Sequence, residues 1–208
     1  MELQYFGGNC IKISAKKASI VVDDNLSELG QKSILSEKDI ALFTSPIIKN
    51  GAKAHFRIDS PGEYEVSDVS IQGIPARAHI DEEKTTNATM YRIILDDVRI
   101  GIIGHVHPDL TDDELEALGT IDVLFVPVGG SGYTLDGIGA HKVISKIDPK
   151  IVVPTHYADR SLKYEVPQSD LEEALKPIGI EPSDTVDSLK IKHVEYGEST
   201  KLIVLNRR

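Results

Sequence analysis

Residues 98–157 decide the fold of this chain and read VRIGIIGHVHPDLTDDELEALGTIDVLFVPVGGSGYTLDGIGAHKVISKIDPKIVVPTHY. Three runs within it, 98–104, 121–128 and 150–154, are rich in Val and Ile and short enough to be buried strands, and segments with helical period separate them. This pattern predicts strand–helix–strand units in which 121–128 and 150–154 are neighbouring central strands. Each strand ends in polar residues whose side chains can take part in binding or catalysis, and clefts of α/β sheets lie at such ends.

Two helices carry start signals in the sequence. Thr111 stands three residues before Glu114, which is the spacing of a capping box, and acidic residues follow Thr111 in the positive first turn. Ser169 and Glu172 repeat the same spacing and predict a helix over 169–179.

Composition bounds the class of protein. With 208 residues, 40% of them hydrophobic, we expect one domain over 1–208, with two small layered halves as the alternative. No apolar run approaches 18 residues and no charged-then-apolar leader begins the chain, so we expect a cytoplasmic protein without a membrane anchor. The net charge of −10 argues against nucleic acid as a partner. The single cysteine, Cys10, fits a small core residue.

The segment His105-Val106-His107-Pro108-Asp109 is the first candidate site. Side chains on an extended segment repeat with period two, so both imidazoles can point to one side and ligate a metal. Polar loop histidines are the alternative reading. Asp23 and Asp24 follow another apolar run and indicate either a loop cap or a carboxylate that supports a site.

The order of these motifs resembles the metallo-β-lactamase fold. The resemblance covers about residues 1–160 and rests on the turn at 60–65, on GIP at 73–75, and above all on DVLFVPVGG at 122–130 and PKIVVPTHY at 149–157. Within that fold it is similar to the small bacterial metal-dependent hydrolases that include ascorbate-6-phosphate lactonase-like proteins. The resemblance implies a four-layer αββα sandwich with two mixed sheets face to face and a metal centre at one edge.

Matched residue by residue, the resemblance implies a metal centre in which several of the family's ligands are replaced. The positions of the family's H-x-H-x-D-H ligands hold Ser45, Ile47, Lys49 and Asn50. His105 takes the place of the Asp that bridges two metals. Three further residues match family positions: His79 after GIP, His156 in the last strand motif, and Asp23.

These replacements act against a dinuclear centre. Ile47 has no lone pair. The Lys49 ammonium would repel a dication about 5 Å away by about 6 kcal/mol at an effective dielectric of about 20. An imidazole at His105 is a neutral single donor and cannot bridge two cations. Dinuclear hydrolysis is therefore not expected.

Two hypotheses remain, and they leave open whether the chain is an enzyme. In the first, the chain is a non-catalytic relative without a cofactor that binds a small molecule or a protein, or serves in an assembly. In the second, His79, His105 and His156 hold one zinc that activates water, with His107, Asp109 and Asp23 in support. Under both, the resemblance implies one edge site, whose residues are Ser45, Lys49, His79, His105 and His156, with the ring of Tyr157 buried beside it.

Overall fold

The computed structural model describes residues 1–46, 48, 50–82, 85–192 and 199–208. In these ranges the chain forms fourteen strands and three helices. In chain order they are β1 (Glu2–Gly7), β2 (Cys10–Ser14), β3 (Ser19–Val22), β4 (Ile40–Leu42), β5 (Phe56–Ile58), β6 (Gly62–Val66), β7 (Val69–Ala76), β8 (Ala88–Leu95), β9 (Val98–Ile102), α1 (Asp112–Leu118), β10 (Val123–Pro127), α2 (Gly137–Ile147), β11 (Ile151–Thr155), α3 (Leu171–Leu175), β12 (Pro182–Val186), β13 (Leu189–Lys190) and β14 (Lys201–Leu205).

The strands form two mixed sheets. One has six strands in the order β13-β1-β2-β3-β4-β5, and the other has eight in the order β12-β14-β11-β10-β9-β8-β7-β6. β10 and β11 pair in parallel with Val123 opposite Ile151 and Pro127 opposite Thr155. The prediction that these two runs are neighbouring strands is confirmed. Both strands are buried on both faces, which explains their continuous apolar sequence.

The main core lies between the two sheets. Along β3, Ile20 and Val22 point into this core, whereas Val21 packs on the opposite face with Cys10 and Leu26. This is the period-two alternation of a strand with two covered faces. Cys10 is fully buried, as its apolar reading predicts.

The helices cover the outer face of the eight-stranded sheet. One apolar cluster joins Leu118 of α1, Val143 of α2 and Leu175 of α3 to strand residues such as Leu124. On the outer face of the six-stranded sheet, the described residues supply turns and loops from 24–36 instead of a helix. The predicted α/β sandwich with two facing mixed sheets is thus confirmed.

The two predicted helix starts have different outcomes. At α1 the Thr111 side chain accepts from the Glu114 backbone and the Glu114 carboxylate accepts from the Thr111 backbone, so the capping box is confirmed. At α3 the N-cap is Asp170, without a side-chain cap bond, so the Ser169 capping box is wrong. The reason is that the Ser169 backbone is bonded to Gly129 and Ala158, which holds it in the connection before the helix. No helix in the described part of the chain is long and apolar enough to cross a membrane.

Candidate functional site at one edge of the sheets

A cavity of about 230 Å³ opens where several strands end at one edge of the sandwich. The segments after β4, β7, β9 and β11 meet there, because β3 and β4, and likewise β9, β10 and β11, run in parallel. The cavity is lined by Asn25, Glu28, Leu29, Ser45, Ile48, Ala78, Ile80, His105, Tyr133, His156, Lys163, Tyr164, Glu165, Val166 and Gln168.

His105 and His156 form the polar floor of this cavity. Their ring centroids lie 5.0 Å apart with the planes at 85°. Ser45 lines the same cavity, so three of the five residues expected to converge do so. Lys49, like Ile47, lies outside the described residues.

His79 lies beside this floor and not in it. Its backbone N–H donates to the His105 carbonyl at 2.8 Å, but its ring packs against His107 with centroids 6.0 Å apart. His79 is absent from the cavity lining. The four histidines therefore form two pairs, His105 with His156 and His79 with His107.

The His105–Asp109 segment sends its side chains to different places. His105 enters the cavity, whereas His107 packs on His79. The exposed Asp109 pairs with Lys142 of α2, and this ammonium is the main reason the pKa of Asp109 is lowered. His107 and Asp109 thus lie away from the cavity, and the two imidazoles do not share one side as the strand period suggested.

The backbone at Gly104 positions His105. Gly104 has φ +64, and a Cβ there would lie 2.4 Å from the Thr44 side chain, so only glycine allows this close approach. Thr44 is in turn bonded to Asp23: its backbone N–H and its hydroxyl donate to the two carboxylate oxygens at 2.7 and 2.6 Å. Asp23 therefore supports the floor through Thr44 and makes no direct contribution to the cavity lining.

Burial shifts the pKa values of these groups in opposite directions. Burial raises the pKa of Asp23 to about 7, and the two hydrogen bonds from Thr44 only partly oppose this. Burial lowers the pKa of His105 to about 3, with His156 and His79 as further causes. Burial also lowers the pKa of His156. Both floor imidazoles are consequently neutral near neutral pH.

Two amide side chains hold the floor histidines. The Nδ1 atom of His156 lies 3.1 Å from Oε1 of Gln168, whose Nε2 donates to the Val166 carbonyl. The Nδ2 atom of Asn9 lies 3.3 Å from Nδ1 of His105, and the Thr155 hydroxyl donates to Oδ1 of Asn9 at 2.9 Å. Each amide is thus oriented by a second hydrogen bond.

Sequence reasoning missed both amides. Asn9 stands in the turn Gly7-Gly8-Asn9, which signals only a turn, and Gln168 stands in a connection without a motif. They reach the floor through long-range contacts, and no local spacing marks such contacts.

Tyr157 is placed as predicted in part: its ring packs on Tyr5 with centroids 5.5 Å apart, and its hydroxyl donates to the Leu205 carbonyl.

The donor set does not fit a dinuclear metal centre. Within the described ranges, no group of three or more His, Cys, Asp or Glu side chains is arranged to hold a metal ion. The floor offers two imidazoles, and the nearby carboxylate of Asp23 already accepts from Thr44 with both oxygens. Two metals need a bridging anion and about six to eight donors between them.

Comparison with known proteins agrees with this fold. Residues 2–156 match the model of the family described as the beta-lactamase superfamily domain. A candidate Zn-dependent hydrolase of the metallo-beta-lactamase superfamily from Thermotoga maritima superposes with a TM-score of 0.76 at 23% identity, over 99% of this chain and 98% of that one. A candidate metal-dependent hydrolase from Parabacteroides distasonis gives 0.57 at 21% identity, over 76% and 82% of the two chains.

More distant structures keep the same architecture. The metallo-beta-lactamase fold protein YhfI from Bacillus subtilis superposes with a TM-score of 0.59 at 8% identity, over 99% of this chain and 96% of that one. At such identities the structural likeness establishes the fold. No curated protein matches the sequence.

Proposed function

Because the chain belongs to the beta-lactamase superfamily, we propose that it is a degenerate metallo-β-lactamase-fold protein that binds a ligand at the family's edge site without dinuclear hydrolysis. The ligand occupies the cavity above His105 and His156. In this proposal the fold is retained for binding or assembly, and the catalytic metals are lost.

One observation carries the proposal: the floor histidines are bonded to amides of the chain itself. Asn9 faces a ring nitrogen of His105, and Gln168 faces a ring nitrogen of His156. Each amide therefore meets one ring nitrogen of its imidazole without a cation. Both oxygens of the buried Asp23 carboxylate accept from Thr44.

The loop after β4 supports the same proposal. On the family resemblance, Ser45, Ile47, Lys49 and Asn50 replace the H-x-H-x-D-H ligands. The Asn50 side chain donates to the Asp24 carbonyl at 2.7 Å, so it ties the loop to its neighbour. The proposal includes descent from the ascorbate-6-phosphate lactonase-like branch.

A second candidate function rests on His79. Its Nδ1 atom is buried and has no hydrogen-bond partner among the described residues. Together with His105 and His156 it would give three imidazoles, a donor set that zinc accepts, and a zinc bound there would activate a water molecule. The packing of His79 on His107 makes this the weaker candidate.

Elemental analysis of the protein purified without added metal tests the proposal. We expect far less than two equivalents of zinc, iron or manganese, and no change of thermal stability in chelator, because a metal bound only to the folded state would raise that stability. Two tightly held equivalents would overturn the proposal. One equivalent that is lost in His105→Ala and kept in the control His55→Ala, an exposed histidine, would favour the zinc site of three histidines.

A further inference from the structure

We infer that the cavity binds an α-amino acid with an aromatic side chain, with the ring inside the cavity and the ammonium and carboxylate groups at its mouth. This inference rests on the proposed binding function and adds the chemical class of the ligand. Three features carry it: the aromatic and apolar interior, the size, and unpaired charges of both signs at the mouth.

The interior of the cavity offers surfaces on which a ring can pack. Five aliphatic side chains line it, those of Leu29, Ile48, Ala78, Ile80 and Val166. Four rings line it as well, those of His105, Tyr133, His156 and Tyr164. The His105 and His156 rings meet edge to face, and the Tyr164 centroid lies 5.2 Å from that of His156. Aromatic rings pack on one another in such edge and tilted arrangements, and this packing does not depend on which imidazole nitrogen carries the proton.

The size agrees with a single ring. A cavity of about 150 Å³ already accommodates benzene in an apolar protein interior. The cavity of this chain has about 230 Å³. A benzyl side chain therefore fits inside it.

The mouth of the cavity carries charges of both signs. Glu28, Lys163 and Glu165 line the cavity and are exposed to solvent. His156 is only 7% exposed, so the charges lie at the mouth and the neutral imidazole lies at the floor. None of the three charged groups forms an ion pair with another described residue. They are therefore available to a ligand.

The two signs lie on adjoining segments of the chain. The Lys163 backbone N–H donates to the Leu29 carbonyl at 3.0 Å, which joins the segment of Lys163 and Glu165 to the turn that holds Glu28. The Lys163 stem passes over Gly30 in that turn, since a Cβ there would lie 3.1 Å from Cδ of the lysine. The ammonium and the carboxylate of an α-amino acid are likewise adjacent, so each can meet an opposite charge at this mouth.

A ligand with a single charge matches the mouth less well. A lone carboxylate meets Lys163 but also two like charges, and a lone ammonium meets two glutamates but also one like charge. A zwitterion gives each sign an opposite partner. Exposed ion pairs are individually weak, so the charges set the selectivity and the buried ring supplies most of the affinity.

A matched set of four probes tests the inference: phenylalanine, 2-phenylethylamine, 3-phenylpropanoate and alanine. Binding is measured by ligand-observed NMR and calorimetry at neutral pH and low salt in the presence of chelator. We expect phenylalanine to bind at least tenfold more tightly than alanine, which lacks the ring, and at least threefold more tightly than either singly charged probe. Equal or tighter binding of one of the other three probes would overturn the inference, and so would the failure of phenylalanine to bind.

A lysine variant tests the partner of the ligand carboxylate. Lys163→Met keeps a long unbranched side chain and removes the charge, so phenylalanine should lose its advantage over 2-phenylethylamine. The exposed position of Lys163 makes a folding defect unexpected. The control Lys176→Met changes an exposed lysine outside this cavity and should leave both affinities unchanged. An advantage of phenylalanine that survives Lys163→Met would contradict the assignment.

A glutamate variant tests the partners of the ligand ammonium. Glu28→Gln combined with Glu165→Gln keeps the size of both side chains and removes both charges. We expect phenylalanine to lose its advantage over 3-phenylpropanoate in this double variant. Glu116→Gln, at an exposed site on α1, should preserve that advantage. A double variant that behaves like this control would show that the two carboxylates do not meet the ligand.

The two proposals fail separately. Two bound metals in the purified protein would end the proposed function, whereas the probe series in chelator still reports on the cavity. A metal-free protein that prefers a singly charged probe would retain the proposed binding function and reject the ligand class.

Discussion

Asp23 and Asp24 are neighbours in the chain, but they support different regions and differ in their hydrogen-bond partners. Asp24 holds the loop at 24–36, whereas Asp23 supports the cavity floor through Thr44. Both carboxylates are 1% exposed. Asp24 accepts from three backbone N–H groups, of Leu26, Ile34 and Leu35, and from the Ser33 hydroxyl. Among the described residues, the Asp23 carboxylate accepts from the backbone N–H and the hydroxyl of Thr44.

This difference separates a structural region from a binding region. A carboxylate with four donors holds a loop in place. At the floor, burial raises the pKa of Asp23 and lowers that of His105. Groups with shifted pKa values cluster at functional sites.

The largest expected effect tests the structural side of this comparison. Asp24→Ala leaves three backbone N–H groups, one buried and two partly buried, without this acceptor, and an unsatisfied buried group costs about 1–3 kcal/mol. We therefore expect a loss of about 3 kcal/mol or more in the free energy of unfolding, measured by chemical denaturation. Glu116→Ala removes an exposed carboxylate from α1 and should change stability by less than about 0.5 kcal/mol. A loss of the same small size for Asp24→Ala would show that the loop does not depend on this carboxylate.

An intermediate effect tests the floor through pH. The pKa of Asp23 is raised to about 7 in the folded state, so its contribution to stability is present below the unfolded value near 4 and is lost as the pH rises through 7. Asp23→Asn lacks this titration, and asparagine tolerates the φ of 45° at this position. Between pH 5 and pH 7 the variant should gain about 2 kcal/mol relative to the unchanged protein, measured by denaturation at both pH values.

In the unchanged protein, the titration of His105 offsets the effect of Asp23 on the free energy of unfolding. Its pKa falls to about 3, so its contribution is present above 6.5 and is lost as the pH falls towards 3. The two slopes have opposite signs between pH 4 and pH 6.5 and largely cancel there. Glu116→Gln, at an exposed site, serves as the control and should follow the unchanged protein at both pH values. A constant difference between Asp23→Asn and the unchanged protein would refute the raised pKa of Asp23.

The same contrast explains how much the sequence predicted. The strands at 121–128 and 150–154 were predictable because burial on both faces imposes continuous apolar runs, and Thr111 was predictable because a capping box is local. The convergence of His105 and His156 was implied by the family resemblance, and their places at the ends of predicted strands indicated it independently. Asn9 and Gln168 were not predictable, since amides bonded across the fold leave no periodic signal.

The smallest effect distinguishes the two predicted caps. Thr111→Ala removes a side-chain acceptor that the α1 backbone uses, and the loss of such a cap costs about 1 kcal/mol. Ser169→Ala should cost less than about 0.5 kcal/mol, because the Ser169 side chain makes no cap bond and its backbone contacts with Gly129 and Ala158 remain. The two variants make the same chemical change of a hydroxyl side chain to alanine, so each serves as the control for the other in thermal or chemical denaturation. An equal cost at both positions would mean that α3 begins at Ser169 with a working cap, as the sequence pattern predicts. A cost at Thr111 alone would show that the sequence pattern of a capping box is not sufficient. The pattern stabilises a helix only where the Ser or Thr is not held away from the helix start by tertiary contacts, as Ser169 is by Gly129 and Ala158.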